Sequence, residues 1–436
     1  MAGASCSKTG VPNARAVAEA IVDEHHYERG FEGGTQVSTS AESIETVKER
    51  IAAEARRLQP RLIEISHTLH NNPEILFQEH RAAELLTAEL DEQGFEVERG
   101  VAGLDTAFVA TYGSGEPVVG ILCEYDALPK IGHACGHNLI ATWGVGAAIA
   151  LRRAAPDLTG TIKVIGTPAE EGGGGKVTMA KAGVFNGLAA AMMMHPRDRT
   201  YLDRGSLAVT PYVIEFFGKS AHASSAPEQG INALDAVLQV FFSVNALRQA
   251  LRPHTRIHGV ITHGGDAANV IPDYAAAKFL VRAKDPAYLE EVKARFRGIV
   301  DGAALATGAR VQVSEGISYQ PRVCNAALVE TFGANLAALG FDHVIPPADA
   351  GVGSSDIGDV SQLVPTIHPY LQICESGIGG HTPEFAEAAR GERADALTAP
   401  GATMLAWTAV DVLLRPEVRE RLRETFREQL GREPQG

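Results

Sequence analysis

The sequence predicts an α/β fold: a largely parallel sheet flanked by helices, interrupted by an inserted α+β segment of ferredoxin-like order. Three observations predict it. The runs Val118–Cys123, Thr161–Gly166 and Ala189–Met194 are short and continuously apolar, as strands buried on both faces are. Segments with apolar residues at three- and four-residue spacing alternate with them, which is the α/β order. Between residues 206 and 322 the order changes to β-α-β-β-α-β, the ferredoxin-like unit.

Each element follows from its own pattern. Val47, Ile51, Leu58, Leu62, Ile65 and Leu69 predict a helix from Glu45 to His70. A second helix spans Arg81 to Gln93 and stops at Gly94. Strands are expected at Thr106–Thr111 and at the three apolar runs. A helix is expected over Leu139–Arg153, with Asn138 as its N-cap, and a short one over Lys176–Ala182. The inserted unit reads as strand Leu207–Phe217, helix Ile231–Ala250, strands Thr255–Thr262 and Tyr274–Ala283, helix Ala287–Ala306 and strand Arg310–Glu315. After Arg322 come a strand near Pro365–Ile373 and a long apolar helix over Ala399–Leu414. The expected organisation is a weakly structured N-terminal extension, 1–42, then one α/β domain made of 43–205 and 323–436, with 206–322 inserted into it.

Composition excludes several classes. With 39 Lys+Arg against 53 Asp+Glu the net charge is −14. No cluster of cations is available to neutralise phosphates, so no nucleic acid is expected as partner. No window reaches the ~18 consecutive apolar residues of a membrane helix. Residues 1–40 have no apolar core of a secretory signal. Cys6, Cys123, Cys135, Cys324 and Cys374 are odd in number and include no C-x-x-C pair. That usage suits reduced thiols in a cytoplasmic protein.

Four places in the α/β parts carry metal-type side chains: H-A-C-G-H-N (His133–Asn138), A-E-E-G-G-G-G (Ala169–Gly175), M-M-M-H-P ending at Pro196, and G-G-H-T-P-E-F, which contains His381. The first three each follow a predicted buried strand, and ligands of open α/β sheets bind outside the carboxyl ends of strands. Cys135, His137, Glu170, Glu171 and His195 are therefore expected at one sheet edge. Thiolate, imidazole and carboxylate are zinc ligands, and carboxylate also suits manganese. The start of the following helix is expected to favour Cys135 as thiolate. Of adjacent Glu170 and Glu171, one can bind metal while the other handles protons, because successive extended residues point opposite ways. A thiol hydrolase with Cys135 as nucleophile and His137 as base is a rival reading, but it leaves the carboxylates without a role.

E-Y-D-A-L-P (Glu124–Pro129), G-H-A-C-G-H-N (Gly132–Asn138), A-E-E-G, the His of M-M-M-H-P, G-K-S-A-H-A (Gly218–Ala223), N-V-I-P-D (Asn269–Asp273) and the late G-G-H-T occur in order. Together they resemble the aminoacylase/carboxypeptidase family of di-metal amidohydrolases. The resemblance covers about residues 45–415. It is strongest to the branch of p-aminobenzoyl-glutamate hydrolases, indoleacetyl-amino-acid hydrolases and aminoacylase-1-like dipeptidases. It implies two divalent ions, zinc or manganese, held by Cys135, His137, Glu171, His195 and His381. Glu170 would be the general base and Asp126 the carboxylate orienting a metal-bound imidazole. The insert would be a lid that forms a homodimer. Its His222 would steady the oxyanion in the partner subunit's site, and Asn269 and Arg282 would hold the substrate carboxylate. Two departures, Asn138 and Glu124 where many relatives have an acidic residue and Asp, leave the proposed ligands intact but bear on substrate identity. The implied activity is hydrolysis of the amide bond of an N-acyl amino acid or dipeptide, with a p-aminobenzoyl-glutamate-type substrate favoured. The alternatives are a β-alanyl-lysine-type dipeptidase and a non-catalytic metal-containing binding protein.

Overall fold

The computed structural model describes residues 43–347 and 351–435. The expected extension, 1–42, lies outside them. The main sheet has six strands in the spatial order Glu96–Arg99, Phe108–Ser114, Gly160–Gly166, Val118–Cys123, Leu188–Met192, Thr366–Ile367. The last four are mutually parallel, and Phe108–Ser114 runs antiparallel to both its neighbours, Gly160–Gly166 and Glu96–Arg99. Register brings the parallel ends level. Cys123 stands opposite Gly166, Ile121 opposite Met192, and Met192 opposite Ile367. Whatever follows these strands therefore emerges at one edge.

Three long helices cover one face: Ile44–Asn71, His137–Ala154 and Thr398–Leu414. Ile51, Leu62, Ile65, Trp143 and Ala402 are closed to solvent where they meet. The middle helix is apolar nearly all round because it lies between the sheet and the other two. The stretch Glu392–Leu414 is long and apolar enough to cross a membrane, but 83% of its apolar window is buried inside this core.

The segment after Ser206 builds a second sheet with its own core. Its strands Ala208–Phe217, Arg256–His263, Tyr274–Ala283 and Arg310–Glu315 are all antiparallel, in chain order 4-1-3-2 across the sheet. The helices Ala233–Arg248 and Pro286–Thr307 pack on one face through Val237, Val240, Val292 and Phe296, against Ile214, Phe216 and Phe279. The β-α-β-β-α-β order is thus present in three dimensions.

Three local expectations change. Asn138 does not cap its helix, which begins at His137 after Gly136. Gly136 takes φ +80°, and a Cβ there would lie 2.4 Å from Pro196. Asn138 instead donates to Ser66 Oγ and the Ala389 carbonyl, at 2.9 Å each. The run Ala189–Met194 ends early, at Met192, with a separate short strand after it, and Pro365–Ile373 divides in two. Leu188–Met192 and Thr366–Ile367 stay in the main sheet, while His195–Arg197 and Tyr370–Gln372 pair in a separate two-stranded sheet. The breaks fall at Met193-Met194 and at His368-Pro369, and in the second the proline cannot donate to a ladder.

Candidate metal centre

The carboxyl ends of the parallel strands deliver the expected side chains to one place. His137 opens its helix after Val118–Cys123, and Cys135 lies two residues before it. Glu170 and Glu171 follow Gly160–Gly166 in a turn, not in extended backbone. His195 follows Leu188–Met192. His381, from a late loop with φ +65°, is tied by its N–H to the Ala134 carbonyl at 2.8 Å. Cys135 Sγ lies 3.4 Å from His195 Nε2. Glu171 Oε1 lies 3.9 Å from His137 Nε2 and 3.4 Å from His381 Nε2. Three sets, Cys135/His137/His195, Cys135/Glu171/His381 and His137/Glu170/Glu171, each hold their ligand atoms within 4.8 Å of one another.

Buried atoms in this cluster lack partners. His137 Nε2 and Glu171 Oε1 are closed to solvent and accept or donate no hydrogen bond among the described residues. Buried polar atoms are almost always satisfied. Two unsatisfied ones converging with a thiol and two further imidazoles fit a site for divalent cations, and the donor types suit zinc or manganese.

Orientation comes from a layer behind the ligands. His137 Nδ1 lies 2.8 Å from the Asp126 carbonyl and 3.1 Å from Asp126 Oδ1. Asp126 Oδ2 accepts the Glu171 N–H at 2.9 Å. One carboxylate thus fixes two of the clustered residues. Its own burial would raise the Asp126 pKa, but His137 outweighs that and lowers it. Such hydrogen bonds to the distal nitrogen fix the tautomer that presents Nε2 to a cation. His195 Nδ1 is held likewise by the Pro196 carbonyl at 2.7 Å.

The two adjacent glutamates sit in opposite electrostatic surroundings. Burial would raise Glu171, but the imidazoles of His381, 3.4 Å away, and of His137 hold it below the ordinary carboxyl range. Glu170 is pushed well above that range, by burial first and then by Glu124, Glu171 and Asp356. Glu170 therefore retains a proton more readily, as an acid–base group should. The Cys135 thiol differs from expectation. It precedes the capping residue of its helix, and burial together with Glu171 pushes its pKa up.

Several residues of the site gave no sequence signal. Lys176 is closed to solvent and pairs with Glu124 and, at 2.8 Å, with Asp356. Its ammonium balances a cluster in which Glu124, Glu170 and Asp356 approach within 4.8 Å. Glu79, also buried, accepts the N–H groups of Phe77 and Ala169 at 3.0 Å each and the Thr106 hydroxyl at 3.0 Å. Phe77 and Ala169 are both left-handed, at φ 60° and 59°, so one carboxylate clamps two strained residues, one of them next to Glu170. His368, also buried, lies with its ring centroid 5.4 Å from that of His195, and the M-H-P and I-H-P tripeptides at the ends of apolar runs were a usable signal for it.

A cavity of about 520 Å³ opens over the cluster. Cys135, Glu170, Glu171, His195 and His381 form one wall, and Arg282 reaches it from the second sheet. His222 and Asn269 do not line it. Both are exposed, in segments outside the strands of the second sheet, where the Ala223 N–H meets the Asn269 carbonyl at 3.0 Å. His222 Nδ1 accepts from Ser224 and Ser225.

A parallel-sheet edge bearing this donor set, with a part-buried carboxylate beside it, defines a metal-dependent hydrolase. The chain belongs to peptidase family M20/M25/M40, whose model matches residues 120–399. It is 36% identical over 428 residues to Xaa-Arg dipeptidase of Mus musculus, covering 93% of this chain and 97% of that protein. It is 35% identical over 273 residues to a p-aminobenzoyl-glutamate hydrolase component of Escherichia coli K12, covering 58% of this chain and 57% of that protein. A Bacillus subtilis crystal structure, described as a dinuclear metal binding peptidase of the M20 family, superposes with a TM-score of 0.61 at 24% identity, covering 82% of this chain and 99% of that one. The protein is a metal-dependent hydrolase of amide or peptide bonds.

Proposed function

We propose that this enzyme cleaves the amide bond of an N-acyl or N-aroyl amino acid, releasing the free amino acid, with p-aminobenzoyl-glutamate-type substrates favoured. The convergence of Cys135, His137, Glu171, His195 and His381 around unpartnered buried atoms, with Glu170 alongside, carries the reading. These five residues would hold two divalent ions, zinc or manganese. The ions would supply Lewis acidity toward the scissile carbonyl and acidify the attacking water.

The chain's own groups account for the rest. Glu170, its proton affinity raised by burial, takes a proton from the attacking water and returns it to the leaving nitrogen. Asp126 keeps His137 and Glu171 oriented throughout. Arg282 offers a planar fork to the substrate carboxylate. We assign Asn269 to the same carboxylate and His222 to the oxyanion, both acting in the site of a partner subunit. Their place outside this chain's own cavity is compatible with that role. Residues 206–322 then act as lid and dimer surface. Phe242 and Val260, 72% and 59% exposed, support such an apolar contact. The compartment we assign is the cytoplasm.

A dipeptidase acting on basic C-terminal residues, of the β-alanyl-lysine type, is the second reading, favoured by the 36% identity to a Xaa-Arg dipeptidase. The test is a substrate panel on the metal-loaded enzyme: p-aminobenzoyl-glutamate, N-acyl aromatic amino acids and β-alanyl-lysine. Preferential turnover of the first is expected. Preference for β-alanyl-lysine selects the second reading, and no turnover of any, with metal bound, would make the protein a binding member of the family.

A further inference from the structure

Four arginines line the cavity over the cluster, and its only carboxylates among the described lining residues are Glu170 and Glu171. Two of the arginines have carboxylates of their own: Arg197 with Asp198 at 3.8 Å and Arg322 with Asp203 at 3.7 Å. Arg204 and Arg282 form no ion pair among the described residues. Among the described residues the Arg282 side chain donates only to Ser354 Oγ at 3.0 Å, and the Arg204 side chain only to the Gly351 carbonyl at 3.0 Å while stacking over Tyr201. The Nε atoms of both are buried and unpartnered. A buried guanidinium nitrogen without a hydrogen-bond partner is costly, and a bound anion removes that cost.

The two are anchored on one strip of chain. Gly351 and Ser354, their respective partners, belong to an irregular segment between 351 and 355. Three residues of extended chain span about 11 Å at most. The two carboxyl carbons of a glutamyl group are separated by four C–C bonds of about 1.5 Å each. A dicarboxylic amino acid would offer one carboxylate to each of these two guanidinium groups. A cationic side chain would meet only positive charge away from the metal ligands.

We propose that Arg204 is a second anion site, so that the released amino acid is dicarboxylic: Arg282 takes its α-carboxylate and Arg204 its side-chain carboxylate. This rests on the hydrolase reading above and narrows it. It also sets this chain apart from the basic-residue specificity in the name of its Xaa-Arg dipeptidase relative.

The test compares p-aminobenzoyl-glutamate, p-aminobenzoyl-glutamine and p-aminobenzoyl-lysine on the metal-loaded full chain, for the native enzyme, Arg204→Met and Arg204→Lys. The native enzyme is expected to favour the glutamate over the glutamine compound by about 100-fold or more in kcat/KM. Arg204→Met should bring that ratio toward one, and Arg204→Lys should restore part of it. An undiminished ratio in Arg204→Met, or a native preference for the lysine compound, overturns the proposal. Calorimetric binding of glutarate and butyrate gives a readout free of turnover. Glutarate should bind more tightly than butyrate only while Arg204 is present, and equal binding overturns the assignment. If none of the three amides is cleaved, the hydrolase reading fails, while the glutarate comparison still decides the role of Arg204.

Discussion

Glu79 shows how much of the site depends on single residues outside the reacting cluster. Its Oε1 serves the Phe77 and Ala169 N–H groups and its Oε2 the Thr106 hydroxyl. Glu79→Ala leaves both N–H groups without their acceptor, which should cost on the order of 3 kcal/mol. Glu79→Gln should recover most of it, because its carbonyl can serve both N–H groups while the threonine hydroxyl turns to accept. Urea unfolding of the two variants checks this. Asp126 has no such tolerance. Both of its oxygens face nitrogen donors, His137 Nδ1 and the Glu171 N–H, so the amide of Asp126→Asn must turn its NH₂ toward one of them. Metal retention against a competing chelator should fall about 10- to 100-fold. The sequence reached Asp126 through its motif but not Glu79. A glutamate 90 residues before Ala169 has no local pattern marking it, and only the folded chain brings the two within 3.0 Å.

Elements whose sides are decided by burial were the ones legible in the sequence. Val118–Cys123 is apolar throughout because helices and neighbouring strands cover it on both faces, and the second sheet's strand Tyr274–Ala283 has the expected bounds. Elements held by non-local contacts were not legible. Glu96–Arg99 is an edge strand, largely exposed, and follows the pairing of Phe108–Ser114 rather than a pattern of its own. The helices Ala326–Ala338 and Pro416–Leu430 close the core from outside the motifs and were likewise unassigned. At this scale the central helix pair is the sensitive joint. A Cβ on Gly401 would lie 2.5 Å from Trp143 Cδ1, and the indole N–H is fixed to the Leu397 carbonyl at 3.0 Å. The ring cannot easily withdraw. Gly401→Ala should lower stability by about 1–3 kcal/mol through overpacking, read as a lower Tm in calorimetry with the metal-loaded turnover number retained at low temperature.

The whole molecule draws its site from segments far apart in the chain: Cys135 and His137, Glu170 and Glu171, His195, and His381. Cations bound there would cross-link the sheet edge to the late loop. Because they bind the folded state and not the unfolded one, saturation at about 1,000 times Kd stabilises by about 4 kcal/mol. Chelation should therefore lower Tm as well as abolish turnover, and zinc or manganese should restore both. A thiol enzyme based on Cys135 would keep its activity in chelator. The convergence itself was legible from strand order. The arginine lining was not, since Arg204 and Arg282 are separated by most of the second sheet and meet only across the cavity. The most direct measurement is the turnover of Glu170→Gln per bound metal ion. We expect metal content equal to the native enzyme's, with kcat lowered by about 10²- to 10⁴-fold, the share of general acid–base catalysis. Near-native turnover at full metal content would contradict the placement of proton transfer on Glu170.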